Sequence, residues 1–344
     1  MKPSAHLVAL DVWRGLAISC LLLGHFVDPR GINFGRLGVE LFFVLSGFLM
    51  GNLLFVREIP LSTFYRRRIS RIFPAAYTFI FVIVVVYLAL GRTIPVSTPI
   101  WTSLFVVNYK LALFPAEKIG LPFQHFWSLC IEEHTYVVLS LLAIAHRRLR
   151  LPTGRMLAAG VLIVFVIAAV VGSRNQWDHH LVYWRTECRA SSILLGAIAS
   201  VFASRGIGRN SRYFGVAAPY LGTAFMTAGM LLQANRIPDY VKFTGGSALL
   251  AVGVLLVSQH GSTIWLWRLA PLAWLGTISY SLYLWQQPFY FLSEEGMHPM
   301  LALAATFMAA ILSYFLIERP ARSWLNKHWG TQPKRLVAEA TASA

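Results

Sequence analysis

Arg14 and His25 stand eleven residues apart in the first apolar stretch of the chain, which opens Leu10-Asp11-Val12-Trp13-Arg14-Gly15. At about 3.6 residues per turn, eleven steps are almost three turns, so both side chains leave one helix face about 16 Å apart. Asp11 and Ile18 share that stripe. Ionisable side chains in hydrocarbon each cost several kcal/mol unless they face a protein interior or a water-filled cavity, which makes them functional by default. A histidine can take a hydroxyl proton near neutral pH, and an arginine fork matches phosphate or carboxylate oxygens. The plainer alternative is an Asp11–Arg14 ion pair one turn apart, with His25 reaching the membrane interface.

The elements that must position these residues are membrane spans. With 57% hydrophobic and 13% charged residues among 344, and a mean hydropathy of +0.60, the composition excludes a soluble globule. Windows of about 20 apolar residues, each long enough for a hydrocarbon core of roughly 30 Å, follow one another with short loops. The expected fold is therefore all-α, a polytopic integral membrane protein of about ten transmembrane helices. They fall near 8–27, 37–56, 73–90, 127–145, 156–172, 186–203, 214–233, 243–258, 270–290 and 299–318. Residues 1–329 form one transmembrane domain, and 330–344 a short cytoplasmic tail expected to be disordered.

A net charge of +16 could point to nucleic acid, but its location points to a membrane. With the N-terminus inside, about 19 of the 30 lysines and arginines fall in cytoplasmic segments, which gives N-in and C-in by the positive-inside rule. The same count makes 100–114 an interfacial or re-entrant segment, because a further crossing would carry the Arg147–Arg155 cluster outside. Cys20, Cys130 and Cys188 lie in apolar segments, are odd in number and lack CxxC spacing, so they read as packing residues. Asp178-His179-His180 could suggest a metal, but neighbouring residues rarely reach one ion together, and no metal site is expected. The first stretch is no removable signal peptide, since Asp11 and Arg14 interrupt it and no small-x-small cleavage site follows. Gly47 and Gly51 make a small-xxx-small face for close helix approach.

Further motifs resemble one family. The opening Leu-Asp-Val-Trp-Arg-Gly with His25 is followed by Gly38-Val39-Glu40-Leu41-Phe42-Phe43-Val44-Leu45-Ser46-Gly47-Phe48. Arg67-Arg68-Ile69-Ser70-Arg71 and Phe126-Trp127-Ser128-Leu129-Cys130-Ile131-Glu132-Glu133 come next. Weaker matches are Thr186-Glu187-Cys188-Arg189, Ser279-Tyr280-Ser281-Leu282-Tyr283-Leu284-Trp285, and Ile317-Glu318-Arg319-Pro320. In this order, nearly end to end, they resemble the membrane acyltransferase 3 family of O-acyltransferases. Where that family usually has histidine after Tyr-x-Leu-Trp, this chain has Gln286. An amide cannot carry a proton near neutral pH, so Gln286 is expected to position substrate and leave proton transfer to His25.

Topology sorts these residues into two layers. Arg14, Arg68, Arg71 and Glu318 fall toward the cytoplasmic side; His25, Glu132, Glu133, Arg189 and Gln286 fall toward the outer side. Arg14, Arg67, Arg68 and Arg71 are candidates to hold the phosphates of a cytosolic acyl-CoA, although a basic cytoplasmic loop alone is common to polytopic proteins. His25 is the candidate general base, with Glu132 orienting it and Arg189 stabilising a developing oxyanion. Alternatives are a Glu132 that pairs with Arg189 or binds sugar hydroxyls, and an Arg189 that pairs with Glu187 or Glu132. A nucleophilic role for His25, through an acyl-histidine, stays open. Glu40, Glu133, Tyr280 and Gln286 are the candidate acceptor-binding residues.

The resemblance implies transfer of an acyl group, acetyl above all, from acyl-CoA to a hydroxyl of a surface or lipid-linked carbohydrate, in a bacterial cytoplasmic membrane. Membrane lipid, acyl-CoA, the carbohydrate acceptor and polysaccharide assembly proteins are the expected partners; nucleic acid is not. Some family members carry an exported hydrolase-like domain after the last span. Without one, direct action at the outer face or a separate partner is expected. The rival is a glycan or lipid transporter or flippase, whose usual internal hydropathy symmetry the ten segments lack. A catalytically silent member of a polysaccharide assembly complex is the third reading.

Overall fold

A computed structural model describes residues 5–27, 33–93, 95–114, 122–175, 179–206, 212–234, 237–260 and 269–330. The regular elements among them are helices: α1 (Ala5–Phe26), α2 (Phe34–Gly51), α3 (Leu61–Ala89), α4 (Ser97–Ser103), α5 (Val107–Leu113), α6 (Phe126–Leu149) and α7 (Thr153–Arg174). There follow α8 (His179–Tyr183), α9 (Thr186–Arg189), α10 (Ser191–Ser204), α11 (Arg212–Leu231), α12 (Ser247–His260), α13 (Ala270–Glu294), α14 (Pro299–Ser313) and α15 (Arg319–His328). Wider π-helical turns at Asn52–Val56, Val241–Gly246 and Tyr314–Glu318 extend α2, lead into α12 and join α14 to α15. Sequence explains several starts: Asn33 caps α2 by accepting from the Arg36 amide at 2.7 Å, and prolines occupy the first turns of α13 and α14.

Among the described residues, five helices are long and apolar enough to cross a membrane: Phe34–Val56, Leu61–Ala89, Phe126–Leu149, Thr153–Arg174 and Pro299–His328. They turn large apolar side chains outward, as with Phe81 at 68%, Leu162 at 62% and Leu316 at 70% exposure. Such a surface suits lipid and not water. Helix α13 is equally long, but Ser279, Tyr280, Ser281, Tyr283, Gln286 and Gln287 lower its apolarity; all six are buried, so they face the protein interior. The segment 100–114 forms no single crossing helix. It breaks into α4 and α5, of seven residues each, around Phe105 at φ 56°.

The centre is α1 packed between α2 and α13, with α3 and α6 closing around them and α10 on the far side of α2. Glycines permit these approaches. A Cβ on Gly276 would overlap the Asp11 carbonyl, and one on Gly15 the Leu272 carbonyl, so α1 and α13 touch backbone to backbone. Gly47 and Gly51 do the same toward Ile193 and Ala197 of α10, the close approach their spacing predicts. Cys20, Cys130 and Cys188 are buried free thiols. Asp178 and the tail from 331 lie outside the described residues, as do the side chains of His179 and His180.

Candidate active site

Two cavities lie within this helix cluster. The first, an arginine pocket, is lined by Arg14, Arg68, Arg71, Ser46, Glu132 and Tyr280, among others. Three guanidinium groups thus face one carboxylate. Arg14 donates to Ser279 Oγ at 2.8 Å and lies 3.5 Å from the Asp11 carboxylate. Arg68 reaches Glu133 at 3.2 Å and Glu132 at 3.6 Å, with its guanidinium 4.0 Å from the Tyr136 ring centre. Tyr136 donates to Glu132 at 2.6 Å and also pairs with Ser46. Nearby, Ser281 donates to Glu318 at 2.8 Å, and Tyr280 donates to the Ile72 carbonyl at 2.9 Å. Arg71 makes no hydrogen bond or ion pair among the described residues, which leaves its fork turned to the pocket.

The second cavity, of about 260 Å³, is lined by His25, Arg36, His125, Gln287 and several aromatic rings, including Trp127, Tyr183 and Tyr290. His25 Nδ1 lies 2.5 Å from Gln286 Oε1, and its ring stacks on Tyr290 at 4.7 Å. The Gln286 amide donates through Nε2 to Gln287 at 3.2 Å, which turns its oxygen toward His25. Because that oxygen can only accept, Nδ1 carries the proton and Nε2 keeps its lone pair. Nε2 has no hydrogen-bond partner among the described residues; it sits 3.4 Å from where a Cβ on Gly35 would lie, beside the start of α2. An accepting nitrogen in a fixed tautomer is what a general base requires.

The two cavities touch. Val39 and Tyr283 line both, and Tyr283 is held by hydrogen bonds to Ser128 Oγ at 2.6 Å and the His125 carbonyl at 2.5 Å. Arg14 and His25 therefore sit at two cavities that meet at one wall.

Several expected pairings are not formed. Glu132 does not orient His25. Its carboxylate is held by Tyr136 and Arg68 at the arginine pocket, and Gln286 takes the position beside His25. The reason is depth: α6 begins at the chamber, and Glu132 lies seven residues past His125, about 10 Å along the axis. Arg189 meets neither Glu187 nor Glu132. It pairs with Glu40, both fully buried, while Ser192 and Ser247 donate to the same carboxylate at 2.7 and 2.9 Å. The Arg189 guanidinium covers the Phe243 ring at 3.5 Å, so this cluster ties α2, α10 and α12 together. Neither Glu40 nor Arg189 lines either cavity, and neither does Arg67; Glu133 stands behind Arg68. Residues that sequence reasoning passed over are His125, Arg36, Ser46, Ser128 and Tyr283. His125 had a signal, since it immediately precedes the Phe126-Trp127-Ser128-Leu129 block, in a stretch read as loop.

The chain is 29% identical to the peptidoglycan O-acetyltransferase YrhL of Bacillus subtilis (strain 168), over 92% of this chain and 55% of that protein. It is 28% identical to the peptidoglycan O-acetyltransferase OatA of Listeria monocytogenes, covering 91% of this chain and 55% of the relative. Identity to the O-acetyltransferase OatA of Staphylococcus aureus (strain NCTC 8325 / PS 47) is 27%, over 97% of this chain and 60% of the relative. The chain thus spans little more than half the length of the curated relatives it matches. No solved structure matches it. The sequence pattern of an acyltransferase domain covers residues 7–318, and the chain belongs to the acyltransferase 3 family.

Proposed function

We propose that this chain transfers an acetyl group from acetyl-CoA to a hydroxyl of a carbohydrate, as an integral protein of a bacterial cytoplasmic membrane. The observation that carries this reading is the contact between the arginine pocket and the His25 chamber at Val39 and Tyr283. Family membership and the names of the relatives support acyl transfer to a glycan. A peptidoglycan-type glycan is the acceptor class those names favour.

Arg14, Arg68 and Arg71 would hold the donor's phosphates, Arg71 with a fork that gives up no hydrogen bond or ion pair among the described residues. The pantetheine arm would then run along the pocket to Tyr283, bringing the thioester to the wall. On the other side His25 Nε2 would accept the proton of the acceptor hydroxyl as its oxygen attacks the thioester carbonyl carbon. Collapse would break the carbon–sulfur bond, and the leaving thiolate would recover the proton from His25. Gln286 keeps the base in its reactive tautomer throughout. A ten-span, N-in and C-in topology would fit this direction of transfer, with the arginine pocket on the cytosolic side.

The test is transfer of label from [14C]acetyl-CoA to a soluble N-acetylhexosamine oligosaccharide by the purified protein in proteoliposomes. His25→Ala should keep acetyl-CoA binding and lose transfer by at least about 100-fold, the lower range for a general base. Normal transfer by that variant, or no transfer by the wild type to any glycan offered, would overturn the reading.

A further inference from the structure

His125 is 4% exposed, lines the His25 chamber, and has neither ring nitrogen in a hydrogen bond among the described residues. A backbone oxygen at Pro122 lies near the ring but outside hydrogen-bond geometry. A neutral imidazole has one N–H to give and one lone pair to receive with, an imidazolium two N–H groups, and a buried polar group is almost always satisfied. A place for such a ring in apolar surroundings therefore needs an account.

Structural roles do not supply one. His125 occupies the cap position of α6 without making a side-chain cap bond. Its ring is packed by the Phe79, Phe126 and Tyr283 rings at 5.4, 5.0 and 5.3 Å, contacts that a phenylalanine would make as well. Its backbone is pinned by the Tyr283 hydroxyl, the group that also stands in the wall between the cavities. The ring is thus rigidly held beside the point where the cavities meet, with its polar atoms unspent.

We infer that His125 is a second catalytic residue, whose ring N–H donates to the oxygen of the thioester carbonyl as that oxygen becomes negative. The inference rests on the acyl-transfer reading above. As the acceptor oxygen bonds to the carbonyl carbon and its proton passes to His25 Nε2, the carbonyl π electrons move onto oxygen, where His125 donates. The electrons return as the carbon–sulfur bond breaks, and the thiolate takes the proton from His25. Preorganised donors at such an oxygen act strongly in a site that excludes water. This assigns to the histidine that caps α6 the role that Arg189, locked to Glu40, cannot reach.

The proteoliposome assay with [14C]acetyl-CoA and the N-acetylhexosamine oligosaccharide separates the possibilities. His125→Ala and His125→Phe should each lower kcat by about 10²–10³-fold, the range for loss of one oxyanion donor, with KM for acetyl-CoA changed less than about threefold. His125→Asn and His125→Gln, which keep an N–H donor, should recover at least a tenth of the wild-type rate. His25→Asn should recover nothing, because an amide cannot accept the proton. Wild-type kcat in the Phe variant would overturn the inference, as would Asn and Gln variants that fold and bind acetyl-CoA yet are as slow as Phe. Failure of the acyl-transfer reading itself would look different, since the wild type would then transfer no label at all.

Discussion

Replacing Gln286 with leucine would test the arrangement on which proton transfer depends. Gln286 is fully buried and close to leucine in volume, so the change removes polarity more than bulk. What disappears is the acceptor 2.5 Å from His25 Nδ1. The ring would then hold a buried donor without a partner, a state costing about 1–3 kcal/mol, or shift its proton to Nε2, where it cannot act as base. At about 1.36 kcal/mol per tenfold in rate, that range corresponds to a loss of roughly 5- to 160-fold in kcat. Gln286→Glu restores an accepting oxygen at the same position, and neither variant keeps the amide donor to Gln287, so comparing the two isolates the bond to His25. The Glu variant should run within about threefold of wild type or faster, since hydrogen bonds to charged groups contribute more than neutral ones. Initial rates in proteoliposomes over a range of acetyl-CoA concentrations give kcat and KM; KM for the donor should stay constant, because Gln286 does not line the arginine pocket. A leucine variant as fast as wild type would refute the reasoning, and so would a Glu variant no better than leucine.

Two further substitutions distinguish donor binding from architecture. Arg71→Ala should raise KM for acetyl-CoA by about 10- to 100-fold with little loss of thermal stability, because a charge-assisted bond contributes about 1.5–3 kcal/mol and this fork makes no hydrogen bond or ion pair among the described residues. Arg68→Ala should instead lower the melting temperature in detergent as well, since it leaves the nearly buried Glu132 and Glu133 without their cation. Glu40→Gln should destabilise by about 3–5 kcal/mol by stranding the buried Arg189 charge, while a Glu40→Leu, Arg189→Met double variant recovers most of that loss. Transfer per folded molecule by the double variant should match wild type; a specific loss of kcat at full stability would return Arg189 to the chemistry.

Helices were the most legible part of the chain, because a long apolar run has few alternatives to a helix that satisfies its own backbone. Close approach at Gly47 and Gly51 was legible for the same local reason. Pairings between distant elements were not. Glu40 and Arg189 lie 149 residues apart, and nothing in either segment says that α2 and α10 pack at that height. The depth of Glu132 was misjudged by counting from a span boundary, when the relevant reference is His125 at the mouth of α6. Arg68 sits at the start of a span in sequence but extends its side chain to the level of Glu132 and Glu133, which merges residues that counting had put in separate layers.

One helix face serves two electrostatic demands in the proposed reaction. Phosphates call for fixed positive charge, whereas a base that becomes imidazolium during transfer is opposed by positive charge nearby. At an effective dielectric of about 20, two unit charges 5 Å apart repel by about 3 kcal/mol, and at 16 Å by about 1 kcal/mol. The eleven-residue spacing of Arg14 and His25 on α1 sets roughly the larger separation from the arginine pocket, with the uncharged wall of Val39 and Tyr283 between the cavities, so Arg36, which lines the His25 chamber itself, is the cation left to oppose the imidazolium. An amide at Gln286 fits the same logic from the other side, since it fixes the tautomer of His25 through Nδ1 and leaves Nε2 open to the acceptor hydroxyl. The distance between the two residues is then set by charge as much as by the reach of the donor.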